Sequence, residues 1–220
     1  MCIRDSYNDV PKFIYDFATL DGCGGSYTLN ADGITVNSIS DVFGRFSSST
    51  TISGENPIID TEYDVNNNVT GKYLRGSTAT DIIFPTGTIP QNYTICCVTK
   101  YIFGGKKERI ITANNFNFLI GHWASREGTI YNQNNPSGWI KYTDDIAIDE
   151  KDKPSSRRWL VTCIKSGGNG TNNILLNGVN IPGDGGPGYD ESSMAINGYG
   201  LYKYEVSDFG IKYILSLIHI

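Results

Sequence analysis

The chain has 220 residues, of which 39% are hydrophobic and 19% charged, and its 18 Lys and Arg against 23 Asp and Glu give a net charge of −5. This length is enough for one domain with a sizeable core. We expect no nucleic-acid partner, because no basic stripe is present to neutralise phosphates. We also expect no membrane insertion, because no apolar run reaches the roughly 18 residues of a spanning helix.

The two ends of the chain, residues 1–6 and 215–220, back-translate to DNA strings that are reverse complements of each other. These strings match the inverted ends that transposase-based sequencing libraries attach to fragments. We therefore interpret both ends as adapter sequence, and residues 7–214 as a single β-sandwich domain cut from a longer protein. The alternatives are a true start region and a short apolar C-terminal strand.

Alternating apolar residues predict strands along almost the whole chain, beginning with Phe13, Tyr15 and Phe17. Tyr93–Ile102 is apolar on both faces and is predicted to be a central strand covered on both sides. Turn signals such as Asn177-Gly178 separate many short strands, which favours a sandwich or barrel. The remaining predicted strands are Ile34–Asn37, Tyr73–Arg75, Asp81–Phe84, Arg109–Thr112, Asn117–Gly121, Gly128–Tyr131, Trp139–Tyr142, Arg158–Ile164, Asn173–Leu176 and Asp208–Ile214.

A second two-sided strand is predicted around Trp159. Trp159, Val161 and Cys163 share one face of this strand, and Leu160 and Ile164 share the other. Both faces are apolar, so we expect this strand to be central in its sheet and covered on both sides.

The order of motifs in residues 93–214 resembles the concanavalin A-like, laminin-G-like jelly-roll family. The motifs are Tyr93–Ile102, Arg109–Thr112, Phe116–Trp123, the Trp-initiated strand Trp159–Lys165, the Leu-Asn-Gly hairpin at Ile174–Gly178, Met194–Gly198 and the closing strand Ser207–Ile214. The resemblance implies an all-β fold, a two-sheet antiparallel jelly-roll sandwich. It also implies a non-catalytic carbohydrate-binding or adhesion module of a larger extracellular, cell-surface or virion-surface protein, with a glycan or a protein surface as its partner.

Two other functions stay open. One is a structural or protein–protein interaction domain without glycan affinity. The other is a glucan hydrolase, because Asp145, Ala147 and Asp149 would share one face of a strand. The middle carboxylate of the glucanase pattern is missing there, so we expect no enzyme activity.

No cofactor is expected, and calcium is the one candidate ion. Asp144, Asp145, Asp184 and Asp190 lie in loop-like segments and carry the oxygen ligands that calcium prefers, although ordinary loop solvation explains them equally well.

The states of Cys23, Cys96, Cys97 and Cys163 stay open. Cys96 and Cys97 point to opposite faces of one strand, so at most one of them can meet Cys163 across the core. Small buried hydrophobic residues are the favoured interpretation, and a disulfide is the alternative.

The predicted ligand site lies in residues 121–142. This segment combines aromatic residues, which can cover the apolar side of a sugar ring, with amide and charged groups that can pair its hydroxyls. We expect Trp139→Ala to weaken ligand binding more than it lowers the melting temperature; the alternative is that the tryptophans fill the core. The candidate binding residues are His122, Trp123, Arg126, Tyr131, Asn134, Asn135 and Trp139.

Overall fold

The structure is a computed structural model. It describes residues 13–18, 26–42, 50–86, 88, 94–102, 104–113, 117–132, 139–141, 159–165, 172–176, 179–183, 194–196, 205 and 207–217. All regular elements in these ranges are strands. They are β1 Phe13–Asp16, β2 Tyr27–Leu29, β3 Val36–Ile39, β4 Thr51–Gly54, β5 Ile58–Tyr63, β6 Val69–Gly76, β7 Thr80–Ile83, β8 Thr94–Tyr101, β9 Ile111–Ala113, β10 Phe118–Trp123, β11 Arg126–Asn132, β12 Trp139–Lys141, β13 Leu160–Lys165, β14 Asn172–Leu176, β15 Val179–Gly183, β16 Met194–Ile196 and β17 Phe209–Leu217.

Two antiparallel sheets form a sandwich, which confirms the predicted fold class. The larger sheet has the order β15-β14-β13-β8-β17-β6-β5, and β1 also pairs with β17. The smaller sheet has the order β12-β11-β10-β9-β16-β7-β4, and β2 and β3 form a separate pair. Strands that are distant in sequence therefore become neighbours, as with β8, β13 and β17.

The core lies between the sheets and is built by alternate residues of each strand. Ile95 and Cys97 of β8, Leu74 of β6, and Phe118 and Ile120 of β10 are all completely inaccessible to solvent. Burying apolar side chains of this size contributes about 1.5–3 kcal/mol each. These residues therefore hold the two sheets face to face.

The two strands predicted to be covered on both sides are central, but each has only one fully buried face. On β8, Ile95 and Cys97 are buried whereas Thr94 and Cys96 are half-buried. On β13, Leu160 and Ile164 are buried, and Val161 is 39% exposed. The prediction of two covered faces is wrong, because apolar residues on these strands also form the outer surface of the sheet.

The predicted hairpin at Asn177-Gly178 agrees with the strand pairing. β14 and β15 pair from Leu176 and Val179 outward, so two residues connect them. The connecting residues themselves lie outside the described residues. The last strand continues to Leu217 and thus enters the segment that we interpret as adapter; that interpretation stays a prediction.

Candidate functional site

The outer face of the larger sheet carries a cluster of aromatic and charged side chains, which we call the outer-face cluster. Alternation along the strands places its members on the side away from the core; Asp60 of β5, for example, lies opposite Tyr73 of β6. The outer-face cluster consists of Asp60, Glu62, Tyr73, Arg75, Lys100, Trp159 and Lys212.

The outer face is concave where the outer-face cluster lies. The indole Nε1 of Trp159, just before β13, donates a hydrogen bond to Oε1 of Glu62 on β5. Strands β8, β17 and β6 lie between β13 and β5 in the sheet. Two side chains can meet across three intervening strands only if the sheet curves around them.

Two lysines hold the aromatic rings in place. Nζ of Lys100 lies 3.9 Å from the ring centroid of Tyr73 and 4.4 Å from that of Trp159. Nζ of Lys212 lies 4.6 Å from the Trp159 centroid. The Tyr73 and Trp159 rings meet edge to face with centroids 5.4 Å apart. Cation–π and edge-to-face contacts of this kind contribute about 0.5–2 kcal/mol each, so the rings form a preorganised surface.

Glycine on β17 makes room for this arrangement. A Cβ atom at Gly210 would lie 3.0 Å from both Cδ2 of Tyr73 and Cε of Lys100. Gly210 pairs with Lys100 on one side and Arg75 on the other. The absence of a side chain therefore lets Tyr73 and Lys100 pack closely against the backbone of β17.

Both carboxylates of the outer-face cluster are kept ionised by their neighbours. Burial raises the pKa of Glu62, but hydrogen bonds from Lys212 and Trp159 and the charges of Lys212 and Lys100 together bring it below its ordinary value. The same balance lowers the pKa of Asp60, where burial is outweighed by the hydrogen bonds from Tyr73, the Thr61 backbone and Arg75. Both carboxylates are thus ionised at neutral pH.

A cleft at one rim of the sandwich adjoins the outer-face cluster. It has a volume of about 490 Å³, and its polar lining includes Glu55, Asn56, Arg75 and Asp208. Arg75 belongs to both features, because its Nη1 also donates to Oδ2 of Asp60 at 3.1 Å. The cleft and the outer-face cluster therefore form one continuous surface.

The site residues predicted from sequence are dispersed. Trp123 and Arg126 face each other across the tight turn between β10 and β11, and both are half-buried. Tyr131 is half-buried on β11, opposite the backbone of Trp139 on β12. The Trp139 side chain and all of Asn134 and Asn135 lie outside the described residues, so the predicted loop site remains a prediction.

His122 points into the sandwich, where it forms what we call the interior polar corner with Thr99, Thr129 and Thr162. All four side chains are completely inaccessible to solvent. Nδ1 of His122 lies 3.2 Å from Oγ1 of Thr99, but Nε2 has no hydrogen-bond partner, and neither do the hydroxyls of Thr129 and Thr162. Burial lowers the pKa of His122 to about 3, so the ring is neutral under ordinary conditions.

Cys96 and Cys163 form a disulfide, the alternative left open by the sequence. The two residues are directly paired on β8 and β13, with Cα atoms 4.0 Å apart. Only one of the two adjacent cysteines meets Cys163, as expected, but the pair lies within one sheet and not across the core. The favoured interpretation of small buried hydrophobic residues is therefore wrong for Cys96 and Cys163. Cys97 faces the core as a buried free thiol, and burial raises its pKa to about 12.

No cluster of three or more metal-binding side chains is present in the part of the chain that the structure describes. The calcium candidates Asp144, Asp145, Asp184 and Asp190 lie outside it, as does the glucanase-like pair Asp145 and Asp149. The described residues also contain no helix that is long and apolar enough to cross a membrane.

Sequence reasoning placed Trp159 on a two-sided central strand and selected neither it nor the other members of the outer-face cluster as site residues. One signal was present, because Lys100 interrupts an otherwise apolar strand. A buried lysine requires a partner, and this requirement predicts charged or aromatic neighbours on the same face. The sequence could not show that those neighbours come from β5, β6, β13 and β17.

Known structures share the fold. Domain 4 of AbnA, a GH43 extracellular arabinanase from Geobacillus stearothermophilus, solved in complex with arabinotriose, matches with a TM-score of 0.55 and 18% identity; the match covers 82% of this chain and 87% of that domain. At this identity the match shows the fold alone, a β-sandwich. No family model matches the chain, and no curated protein does.

Weaker matches include two binding domains of bacterial toxins. The binding domain of Paraclostridial Mosquitocidal Protein 1 has a TM-score of 0.48 at 12% identity, and the match covers 84% of this chain. The binding domain of botulinum neurotoxin DC, in complex with rat synaptotagmin II, has a TM-score of 0.47 at 14% identity over 87% of this chain. This chain spans about half the length of each toxin domain, 47% in both cases.

Proposed function

We propose that the protein is a non-catalytic carbohydrate-binding or adhesion module that binds glycans on the concave outer face of its larger sheet. The observation that carries this proposal is the outer-face cluster, in which the half-buried Trp159 is held edge to face by the buried Tyr73 ring and is surrounded by charged hydrogen-bonding groups. Sugars need both, since the apolar face of a pyranose packs on aromatic rings and its hydroxyls pair with polar side chains. The resemblance to laminin-G-like domains and the arabinotriose complex of the matching arabinanase domain support the same class of ligand.

We further propose that the module belongs to a secreted or surface-exposed protein. The Cys96–Cys163 disulfide supports this, because such bonds persist in oxidising compartments and are rare in the cytosol.

A glycan array probed with the complete chain tests the proposal. We expect binding to a restricted set of oligosaccharides, which Trp159→Ala abolishes. Val161→Ala is the matched control, because Val161 is also exposed on the outer side of β13 but carries no aromatic ring and is not a member of the outer-face cluster. Binding that is absent from the whole array contradicts the proposal.

A protein-binding role is the second candidate, and the hairpin between β5 and β6 favours it. Tyr63, Val65 and Val69 near its tip are 56%, 100% and 51% exposed. Adjacent exposed apolar side chains mark contact surfaces for other proteins. For this candidate we expect Val65→Asp to abolish self-association or partner binding in sedimentation experiments, with glycan binding unchanged.

Glucan hydrolysis remains the third candidate, and we expect no release of reducing sugar from β-glucans. Release that is abolished by Asp149→Ala would overturn this expectation.

A further inference from the structure

In the outer-face cluster, every carboxylate oxygen already accepts a hydrogen bond from the protein, but one donor group is still accessible to a ligand. Oε1 of Glu62 accepts from Trp159, and Oε2 accepts from Lys212. Oδ1 of Asp60 accepts from the Thr61 backbone, and Oδ2 accepts from the Tyr73 hydroxyl and from Arg75. Both carboxylates are therefore occupied by protein donors and offer little to the hydroxyls of a ligand.

Arg75 is the donor that remains. Its side chain is 47% exposed, whereas those of Lys100 and Lys212 are only 11% and 18% exposed. Only Nη1 of Arg75 is engaged, in the bond to Asp60, and its other guanidinium N–H groups have no partner among the described residues. A guanidinium has five donors in a planar fork that matches a carboxylate, so Arg75 can hold a second anionic group.

The charge of this face agrees with an anionic ligand. Three cationic side chains, Arg75, Lys100 and Lys212, face two carboxylates, which leaves one positive charge within the outer-face cluster of a chain whose net charge is −5. The two buried ammonium groups act at longer range through the low-dielectric surface of the sheet. An acidic group is therefore attracted to the outer-face cluster.

The rim cleft next to Arg75 is lined by negative charge, in contrast to the outer-face cluster. Glu55 and Asp208 line it, and each carboxylate accepts one bond, Glu55 from the Ser77 hydroxyl and Asp208 from the Lys106 backbone. These carboxylates repel anions but accept hydrogen bonds from sugar hydroxyls. The carboxylate of a ligand would therefore lie on the sheet side of Arg75, with hydroxyls of the next sugar in the cleft.

From this arrangement we propose that Arg75 determines ligand specificity by binding the carboxylate of an acidic sugar. This sugar is one residue of an oligosaccharide that extends from Trp159 into the rim cleft. This inference rests on the proposed glycan-binding function and names its ligand class. The sugar ring packs on the half-buried Trp159, which the buried Tyr73 ring supports edge to face. The carboxylate makes a charge-assisted pair with the guanidinium.

Calorimetric titration with acidic and neutral oligosaccharides of matched size tests this proposal. The probes are trigalacturonate with trigalactose, and 3′-sialyllactose with lactose. We expect the complete chain to bind at least one acid about tenfold or more tightly than its neutral partner. Arg75→Gln should remove this preference, because it should lower the affinity for the acid about tenfold more than the affinity for the neutral sugar.

The control is Lys165→Gln, which removes the same charge from an exposed position at the far end of β13. Lys165→Gln should retain the acid preference. If the preference came from net charge alone, Lys165→Gln would lower it as much as Arg75→Gln does. Equal affinity for acid and neutral sugar in both pairs overturns the proposal, and so does an acid preference that survives Arg75→Gln. Neutral glycan binding that depends on Trp159 would still support the proposed function, whereas failure of the function would remove binding of every probe.

Discussion

The outer-face cluster and the interior polar corner both combine aromatic and polar side chains, but their hydrogen bonding is opposite. In the outer-face cluster, Glu62 and Asp60 have several donors each, and the rings are held between charged groups. In the interior polar corner, Nε2 of His122 and the hydroxyls of Thr129 and Thr162 have no partner. Burying such groups costs free energy, whereas a satisfied cluster at the surface is rigid and available to a ligand.

The two regions contribute differently to the free energy of unfolding. The interior polar corner lowers the stability of the fold and makes it depend on pH. The outer-face cluster lies over the disulfide-linked strands β8 and β13 and keeps its geometry through their pairing. We therefore expect the largest loss of stability when the disulfide is removed, and smaller changes when residues within either cluster are substituted.

The largest expected effect follows removal of the disulfide. Cys96 and Cys163 are 67 residues apart, and closing a loop of this length stabilises a fold by about 4 kcal/mol in the chain-entropy model. We expect the Cys96→Ala, Cys163→Ala double variant to lose about 2–5 kcal/mol in chemical denaturation. Cys97→Ala is the matched control and should lose less, because it removes only one buried sulfur. Equal losses in the two variants would show that the bond contributes nothing.

The next effect is a pH dependence caused by His122. Its pKa is about 3 in the folded chain, against about 6.5 when unfolded, so the unfolded state binds the proton first as the pH falls. The stabilisation is complete above pH 6.5 and declines below it by about 1.4 kcal/mol per pH unit. We expect a loss of about 2 kcal/mol between pH 6.5 and 5.0 in urea denaturation. His122→Gln should abolish this slope; a slope unchanged by the substitution would contradict the buried neutral ring.

A smaller effect is expected when Glu62 loses its charge. Its pKa is lowered in the folded state, so its contribution is present above its unfolded pKa and is lost as the pH falls through the folded value. Glu62→Gln should cost about 1 kcal/mol, because charged hydrogen bonds are replaced by neutral ones at a partly exposed site. It should also change Trp159 fluorescence. Glu55→Gln, at an exposed carboxylate bonded to Ser77, should leave the fluorescence unchanged.

The smallest effect is predicted for Thr162→Val in the interior polar corner. Its hydroxyl is buried without a partner, so an isosteric methyl group removes a desolvation cost and leaves the packing intact. We expect the stability to change by less than about 1 kcal/mol, in the stabilising direction. Thr99→Val should be destabilising by comparison, since it removes the bond to His122. Destabilisation by Thr162→Val would mean that the hydroxyl is satisfied after all.

The sequence predicted the sandwich because alternation and turn residues are local properties. β4 and β5 were missed because Thr51–Gly54 and Ile58–Tyr63 are rich in polar residues. The polarity of β5 has a cause that only the folded sheet reveals, namely that Asp60 and Glu62 belong to the outer-face cluster. A strand can thus lack the expected alternation of apolar residues where its polar side chains contribute to a site.

The candidate site was less predictable for the same reason. Sequence reasoning looked for aromatic and amide residues that are close along the chain, and it selected residues 121–142. The outer-face cluster instead combines residues from four strands, β5, β6, β8 and β17, with Trp159 just before β13. The apolar pattern around Trp159 indicated a two-sided strand and not a site. Neither the concavity of the sheet nor the neighbours of Lys100 can be derived from spacing.

The most direct test compares Trp159→Ala with Trp139→Ala in calorimetric titrations of the best glycan from the array. Loss of a central tryptophan contact costs about 2 kcal/mol or more in binding. We predict an affinity at least tenfold lower for Trp159→Ala, with nearly wild-type affinity for Trp139→Ala and a folded protein in both cases. Loss of binding in Trp139→Ala alone would contradict this account and place the ligand on the segment that the sequence predicted.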